Sequence, residues 1–451
     1  MNRAGAGSRN SLVVLLAVAM LAIGLDVGVA RITYGVVLPA FARDLQLSLT
    51  AAGLLGTLHL IGYLFGTLAS PWLNAKVGAL ALCRASHLVF ACAMLVCGLT
   101  SNITTMAASR YVAGLAAGFG VFSVFLIVFD AIEQEKRSAA GSLVWSGIGV
   151  AIVASGLAAG PMLDGSAWRL SFFVPAALGL AVAVFIPRTQ SLAQPKALDA
   201  PPSRLAELTS ARWIFLVVAY FLFAVGYISY VTFAGVMLKG IGLSVAGVTW
   251  FWVMYGASSI VGAALGAALL SGGLARRIAL SAALASGAIG SLLVVHGESW
   301  SVFAASSALV GLGSVATPAI VTFLIRSRTN GAAFPFFFTV GTASLGLGQL
   351  IGPAISGFLG DWFGASSIGW FAAAIYGAAM LAAAADGVFG RQQPMTTTKL
   401  KEDRHALPAP RFTRRLSGRR KTRIGDTAVQ ALRRCHGDAV VATEYRDRRT
   451  R

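Results

Sequence analysis

The sequence predicts an all-α membrane protein of twelve helices arranged as two six-helix halves. Three observations predict it. The 451 residues are 57% hydrophobic and only 12% charged, against roughly 25% charged in an average soluble chain. Apolar segments near the roughly 20 residues that span a bilayer recur along most of the chain. The second half also echoes the first: Gly62, Gly66 and Lys76 match Gly262, Gly266 and Arg276 at a constant offset, and GLAAGPMLDG from Gly156 matches GQLIGPAISG from Gly348. The 51 glycines suit membrane helices that approach closely.

Taken in order, the first span covers 12–40 and carries two charges, Asp26 and Arg31, within LDVGVARITYGVVLPAF. Such charges in a bilayer-spanning helix cost about 2.5 to 3.5 kcal/mol each, which makes them functional candidates. A cleaved signal peptide is the alternative for this span, but the apolar run continues past the cleavage-like VGVA to Leu38. The second span, 50–72, holds His59 and ends before Lys76 and Gly78. The third, 80–100, holds three of the four cysteines. The fourth, 104–130, starts near Arg110 and closes at Asp130. The fifth, 139–164, is rich in glycine, and the sixth is 168–187.

A polar stretch, IPRTQSLAQPKALDAPPSR, then separates the halves. The remaining spans are 212–238, 244–271, 276–296, 300–325, 332–359 and 365–389, with FPFFF at 334–338 read as packing around a proline. The expected organisation is an N-terminal bundle (1–187), a linker (188–211), a C-terminal bundle (212–390) and a tail (391–451). Fourteen Lys and Arg fall in one set of loops before the tail and three in the other. By the positive-inside rule both termini are expected in the cytoplasm.

The net charge of +19 divides unevenly. Residues 391–451 hold 17 Lys and Arg against 6 Asp and Glu, a balance of +11. The composition of the tail predicts disorder and attraction to anionic lipid headgroups. Without a recognisable fold or aromatic interleaving, no nucleic-acid partner is expected. Cys83, Cys92, Cys97 and Cys435 form no C-x-x-C pair, and the five histidines show no ligand spacing. Neither a disulfide framework nor a metal centre is therefore expected. The absence of G-x-x-x-x-G-K-[ST] argues against an ATP-driven pump. No cluster of catalytic residues suggests an enzyme.

The fifth span, GIGVAIVASGLAAGPMLDG, resembles a motif of the major facilitator superfamily: Gly, eight residues, Gly, three residues, Gly-Pro, two residues, Gly-Gly. Gly147, Gly156, Gly160, Pro161 and Gly165 fit it, with Asp164 in place of one glycine. Arg110 in RYVAGLAAG is similar to the family's fourth-helix arginine. In the loop after the second span Lys76 and Gly78 match, while Ala75 replaces the usual aspartate. That puts the usual latch of this loop in doubt and leaves Asp130 as a substitute. ARITYGVVLPAF followed by GLLGTLHLIGYLFGTL resembles the YbfB/YjiJ-type bacterial branch.

The resemblance covers residues 11–390 and implies a secondary transporter working by alternating access. It implies a monomer in the bacterial inner membrane that moves a small organic solute. The fifth-span motif leans toward export coupled to protons, which would be the coupling ion; no other cofactor is expected. Uptake by proton symport, or exchange of organic anions through Arg31 and Arg110, is the alternative, and a non-transporting sensor a more distant one. Asp26, flanked by Gly24 and Gly28, is the leading candidate for the titrating group, with Arg31, Tyr34, His59 and Arg110 around the cavity. A five-residue spacing sets Asp26 and Arg31 about 140° apart on an α-helix. Either the helix is interrupted between the glycines, or the arginines form a basic patch and Asp26 pairs with Arg110 or His59.

Overall fold

The computed structural model describes residues 3–133, 137–158, 162, 165–187, 208–269, 273–329 and 334–389. Gly160 and Pro161, most of the linker and the tail lie outside the described residues. The first span begins as α1 (Arg3–Ile23), passes through a π-helical turn (Gly24–Val29) and continues as α2 (Ala30–Asp44). Next come α3 (Leu49–Val77), α4 (Ala79–Leu99), α5 (Ile103–Ala131) and α6 (Arg137–Leu157). A short 3-10 turn (Gly165–Arg169) leads into α7 (Leu170–Phe185).

The second half supplies α8 (Ala211–Gly240), α9 (Val245–Leu269), α10 (Gly273–His296), α11 (Trp300–Arg328), α12 (Phe334–Phe363) and α13 (Ala365–Phe389). Among the described residues eleven helical stretches are long and apolar enough to cross a membrane. The fifth span contributes a shorter apolar helix, Leu143–Ala158.

The helix ends follow from local chemistry. Ser48 and Asn102 accept hydrogen bonds from the first free N–H groups of α3 and α5, as N-cap residues do. The ends of α2 and α8 repeat each other bond for bond. Leu47 N–H reaches Ala42 O and Gln46 N–H reaches Arg43 O; Leu243 N–H reaches Leu238 O and Gly242 N–H reaches Lys239 O. Both are Schellman turns, whose left-handed residue is Gln46 (φ 51°) in one half and Gly242 (φ 75°) in the other. The sequence echo between the halves thus extends to turn geometry.

The halves meet along three helix pairs: α2 with α8, α3 with α12, and α6 with α9. A six-element offset exchanges the last two pairs and maps the first onto itself, as a two-fold pseudo-repeat requires. At the first pair Gly35 packs so closely that a Cβ there would overlap the Val231 carbonyl oxygen. The fifth-span glycines serve both kinds of contact. Gly147 abuts the Met20 backbone within the first half, and Gly156 packs on Trp252 and Val253 of α9. Gly165 opens the 3-10 turn.

On the face bearing residues 45–48, which the charge rule assigns to the outside, the halves are fastened by one carboxylate. Asp361, near the end of α12, accepts hydrogen bonds from Leu49 N–H (2.8 Å), Thr50 N–H (2.8 Å) and the Thr50 hydroxyl (2.6 Å). It therefore caps α3 from the opposite half, where the helix dipole favours negative charge. Replacing a capping carboxylate by alanine costs about 0.5–2 kcal/mol. Asp361→Ala should accordingly shift spin-label distances between Gln46→Cys and Trp362→Cys toward longer values. Asp361→Asn should shift them less, because an amide oxygen still caps.

Candidate functional site

The π-helical turn forms where α1 leans on α6. Gly24 faces the Gly147 carbonyl and Ala151, and Gly28 faces Ala151 and Ile148. A π turn accommodates one extra residue by widening the helix and recurs at functional sites. The sequence left open an interruption between Gly24 and Gly28; the chain instead stays wound through them, with a wider turn. Asp26 lies inside this turn and is fully buried.

Neither Arg110 nor His59 pairs with Asp26. Its neighbour is His87 of α4, whose Nε2 lies 3.4 Å from Asp26 Oδ2. This is ion-pair range but too long for a strong hydrogen bond, and neither carboxylate oxygen accepts a hydrogen bond from any group described. The other ring nitrogen, His87 Nδ1, lies 2.8 Å from the Cys83 carbonyl oxygen. Gly120 of α5 closes the space above the pair, where a Cβ would overlap Asp26 Oδ2 and come within 3.0 Å of His87 Cε1.

The two arginines form the second part of the site. Arg110 is 2% exposed and Arg31 8%, so neither reaches into lipid. Arg110 Nη1 donates to the Ala30 carbonyl oxygen (3.2 Å), and its guanidinium lies 4.4 Å from the centre of the Tyr34 ring. Arg31 Nη1 donates across the halves to Gln349 Oε1 of α12 (3.1 Å), and its guanidinium lies 4.4 Å from the centre of the Tyr63 ring. Cation–π contact offsets part of the cost of burial. Tyr34 is held by its hydroxyl, which donates to the Ala52 carbonyl oxygen (2.6 Å). Among the described residues neither guanidinium has a carboxylate within 4.0 Å, and Arg31 Nε, Arg31 Nη2 and Arg110 Nε have no partner.

His59 is fully buried, in the electrostatic field of both guanidiniums, and neither ring nitrogen has a partner. Across the interface, Tyr227 feels the charge of Arg31. Beyond it Tyr230 hydrogen-bonds Ser306 (2.8 Å), while the buried Tyr255 and Tyr376 hydroxyls and Trp252 Nε1 have no partner. These groups form a buried polar, aromatic cluster in the second half.

The proposed gate loop lies apart from this centre. Lys76 Nζ sits 3.9 Å above the Trp72 ring, and Gly78 links α3 to α4 at φ 82°. Asp130, at the end of α5, makes no ion pair among the described residues. The structure thus brings Asp26, Arg31, Tyr34, His59 and Arg110 to one level and adds His87, Tyr63 and Gln349. His87 carried a usable signal, since an ionisable residue inside an apolar span is a functional candidate by default. Gln349 carried none, because its role depends on the packing of the two halves.

A family model described as "Uncharacterised MFS-type transporter YbfB" matches residues 21–386. A gentisate transporter of Corynebacterium glutamicum is 29% identical over 163 residues, 35% of this chain and 37% of that one. A benzoate transport protein of Acinetobacter baylyi is 22% identical over 177 residues, 38% and 37% of the two chains. The matches span little more than a third of the length of these curated relatives. A solved bacterial homologue of the human lysosomal transporter Spinster, inward-facing and unoccupied, superposes with a TM-score of 0.67 at 16% identity. That match covers 85% of this chain and 97% of the other.

The packing of Gly120 yields an expectation independent of any substrate. Gly120→Ala forces a methyl group between Asp26 and His87, and overpacking costs about 1–3 kcal/mol. The variant should melt at a lower temperature than wild type. The loss should be smaller when Asp26→Ala or His87→Ala removes one of the groups it strikes.

Proposed function

The chain belongs to the YbfB-type family of major facilitator transporters, and we propose that it carries a small aromatic carboxylate together with protons. The observation that supports this most directly is the pair of buried guanidiniums, Arg31 and Arg110, with free N–H groups and no carboxylate of their own. Guanidinium recognises carboxylate by paired N–H donors, and a buried cation without a partner is costly. An anionic ligand supplies what the site lacks. The flanking Tyr34 and Tyr63 rings, and the aromatic cluster of the second half, suit a flat unsaturated body. The partial likeness to proteins named for gentisate and benzoate agrees in chemical class.

The site also bears on direction. An inside-negative potential opposes entry of an anion by about 2.3 kcal/mol per charge for each 100 mV. A proton moved in the same direction cancels that charge, whereas export of an anion needs no such partner. A protonatable carboxylate one π turn from an anion-binding arginine therefore favours uptake by proton symport. In the charge-rule orientation, with cytoplasmic termini in a bacterial inner membrane, solute would enter from the 45–48 face.

Gly147 and Gly156 favour a second reading, proton-coupled export, because they form the packing motif that leans that way. Right-side-out vesicles under an inward proton gradient separate the two by the sign of accumulation.

In proteoliposomes, labelled benzoate uptake should fall more than about tenfold in Arg31→Ala and in Arg110→Ala. Arg110→Lys should keep part of the activity, since charge remains but the guanidinium fork is lost. Benzamide, the uncharged counterpart, should compete poorly. Wild-type rates in both alanine variants, or equal competition by benzamide, would refute the anion site.

A further inference from the structure

We propose that His87 is the second half of the proton site: Asp26 and His87 hold one proton between them, and this is the proton released and rebound during transport. The inference rests on the coupled-transport reading above. It goes beyond it by assigning a role to a residue on a different span.

The geometry of the imidazole restricts its chemistry. A carbonyl oxygen only accepts hydrogen bonds, so at 2.8 Å from Cys83 O the Nδ1 atom keeps its hydrogen in every state. Changes of protonation therefore fall on Nε2, the atom facing Asp26 Oδ2 at 3.4 Å. With one proton present, either Nε2–H faces a carboxylate or a carboxyl O–H faces the Nε2 lone pair. Both arrangements are attractive and differ only in where the proton sits. With no proton, an anionic oxygen faces a lone pair in a dry interior, and neither oxygen of Asp26 has another donor. That state requires water or another cation, so release of the proton is tied to opening of the site.

The surroundings link the pair to the anion site. Facing it are Arg31 on its own span, Tyr63 on α3 and Cys83 on α4. On α5 it meets Gly120, and the α6 segment at the π turn presents Gly147, Ile148 and Ala151, none of them titratable. Arg31 is the one group among these that is cationic at neutral pH. It lies just beyond the π turn that holds Asp26. Any change in the winding of that turn rotates Arg31 relative to Asp26 by about 100° per residue. Occupancy of the proton pair and orientation of the substrate-binding guanidinium are therefore mechanically connected.

Proton counting tests the proposal without a substrate. Purified full-length protein would be titrated with a pH-indicator dye between about pH 5 and 9, comparing wild type with Asp26→Asn, His87→Gln and the double variant. A shared proton predicts that each single variant loses one titrating proton and that the double variant loses no more. Loss of two protons in the double variant, or a wild-type titration in His87→Gln, would overturn it.

Should a variant fail to fold, histidine ring ¹⁵N spectra of the unaltered protein decide the matter. One ring must retain its Nδ1 proton throughout while its Nε2 titrates together with an aspartate carboxyl. An Nε2 that titrates with no accompanying carboxyl change would refute the pairing. In proteoliposomes, benzoate uptake driven by a pH gradient should fall more than about tenfold in both single variants while benzoate counterflow persists. If wild type moves no benzoate, the substrate reading fails, and the titration still decides the proton pair.

Discussion

Everything at the centre of this molecule depends on the cost of keeping charge away from water. Asp26, Arg31 and Arg110 are buried in a structure whose spans are otherwise nearly free of charge. In a medium of low dielectric such groups are tolerated only with partners, and the partners found are economical: an imidazole, two tyrosine rings, an amide and a backbone carbonyl. None neutralises an arginine outright. The centre is thus polarised, with an acid–imidazole pair on one side and an incompletely satisfied cationic pair on the other. A fully neutralised interior would have no reason to change state when a solute arrives.

The cross-half bond from Arg31 to Gln349 is suited to such a change. It joins a charge to a neutral amide, which is weaker than a buried ion pair and leaves two further guanidinium nitrogens, Nε and Nη2, without a partner. Breaking it to rock the halves strands no opposite charge in the interior. Among the described residues Arg328 also pairs with Asp386, a contact that lies within the second half and joins α11 to α13.

Much of this was legible from residues alone. Span positions followed from apolar length, and Asp26, Arg31 and Arg110 stood out as charges in apolar runs. The 140° separation expected of Asp26 and Arg31 assumes an α-helix, and the wider π turn at Gly24–Val29 replaces that geometry. The π turn was not legible, because it arises from glycine contacts between α1 and α6 that no local pattern records. Among the histidines the sequence points to His59 as the cavity candidate and passes over His87, because the meaning of His87 comes from apposition of the first and third spans. Asp361 draws no reading from the sequence, because its role depends on the fold setting it against the start of α3.

The Asp361 cap is made mainly to backbone. Two of its three donors are peptide N–H groups of Leu49 and Thr50, which any residue but proline supplies. Substitutions along the start of α3 therefore leave the fastening largely intact, and a single codon in α12 controls it. Near the opposite end of α3, Ala75 stands where the family resemblance implies an acid. The fold separates the charged centre from the contacts that join the halves near one face, so a change in one leaves the other in place.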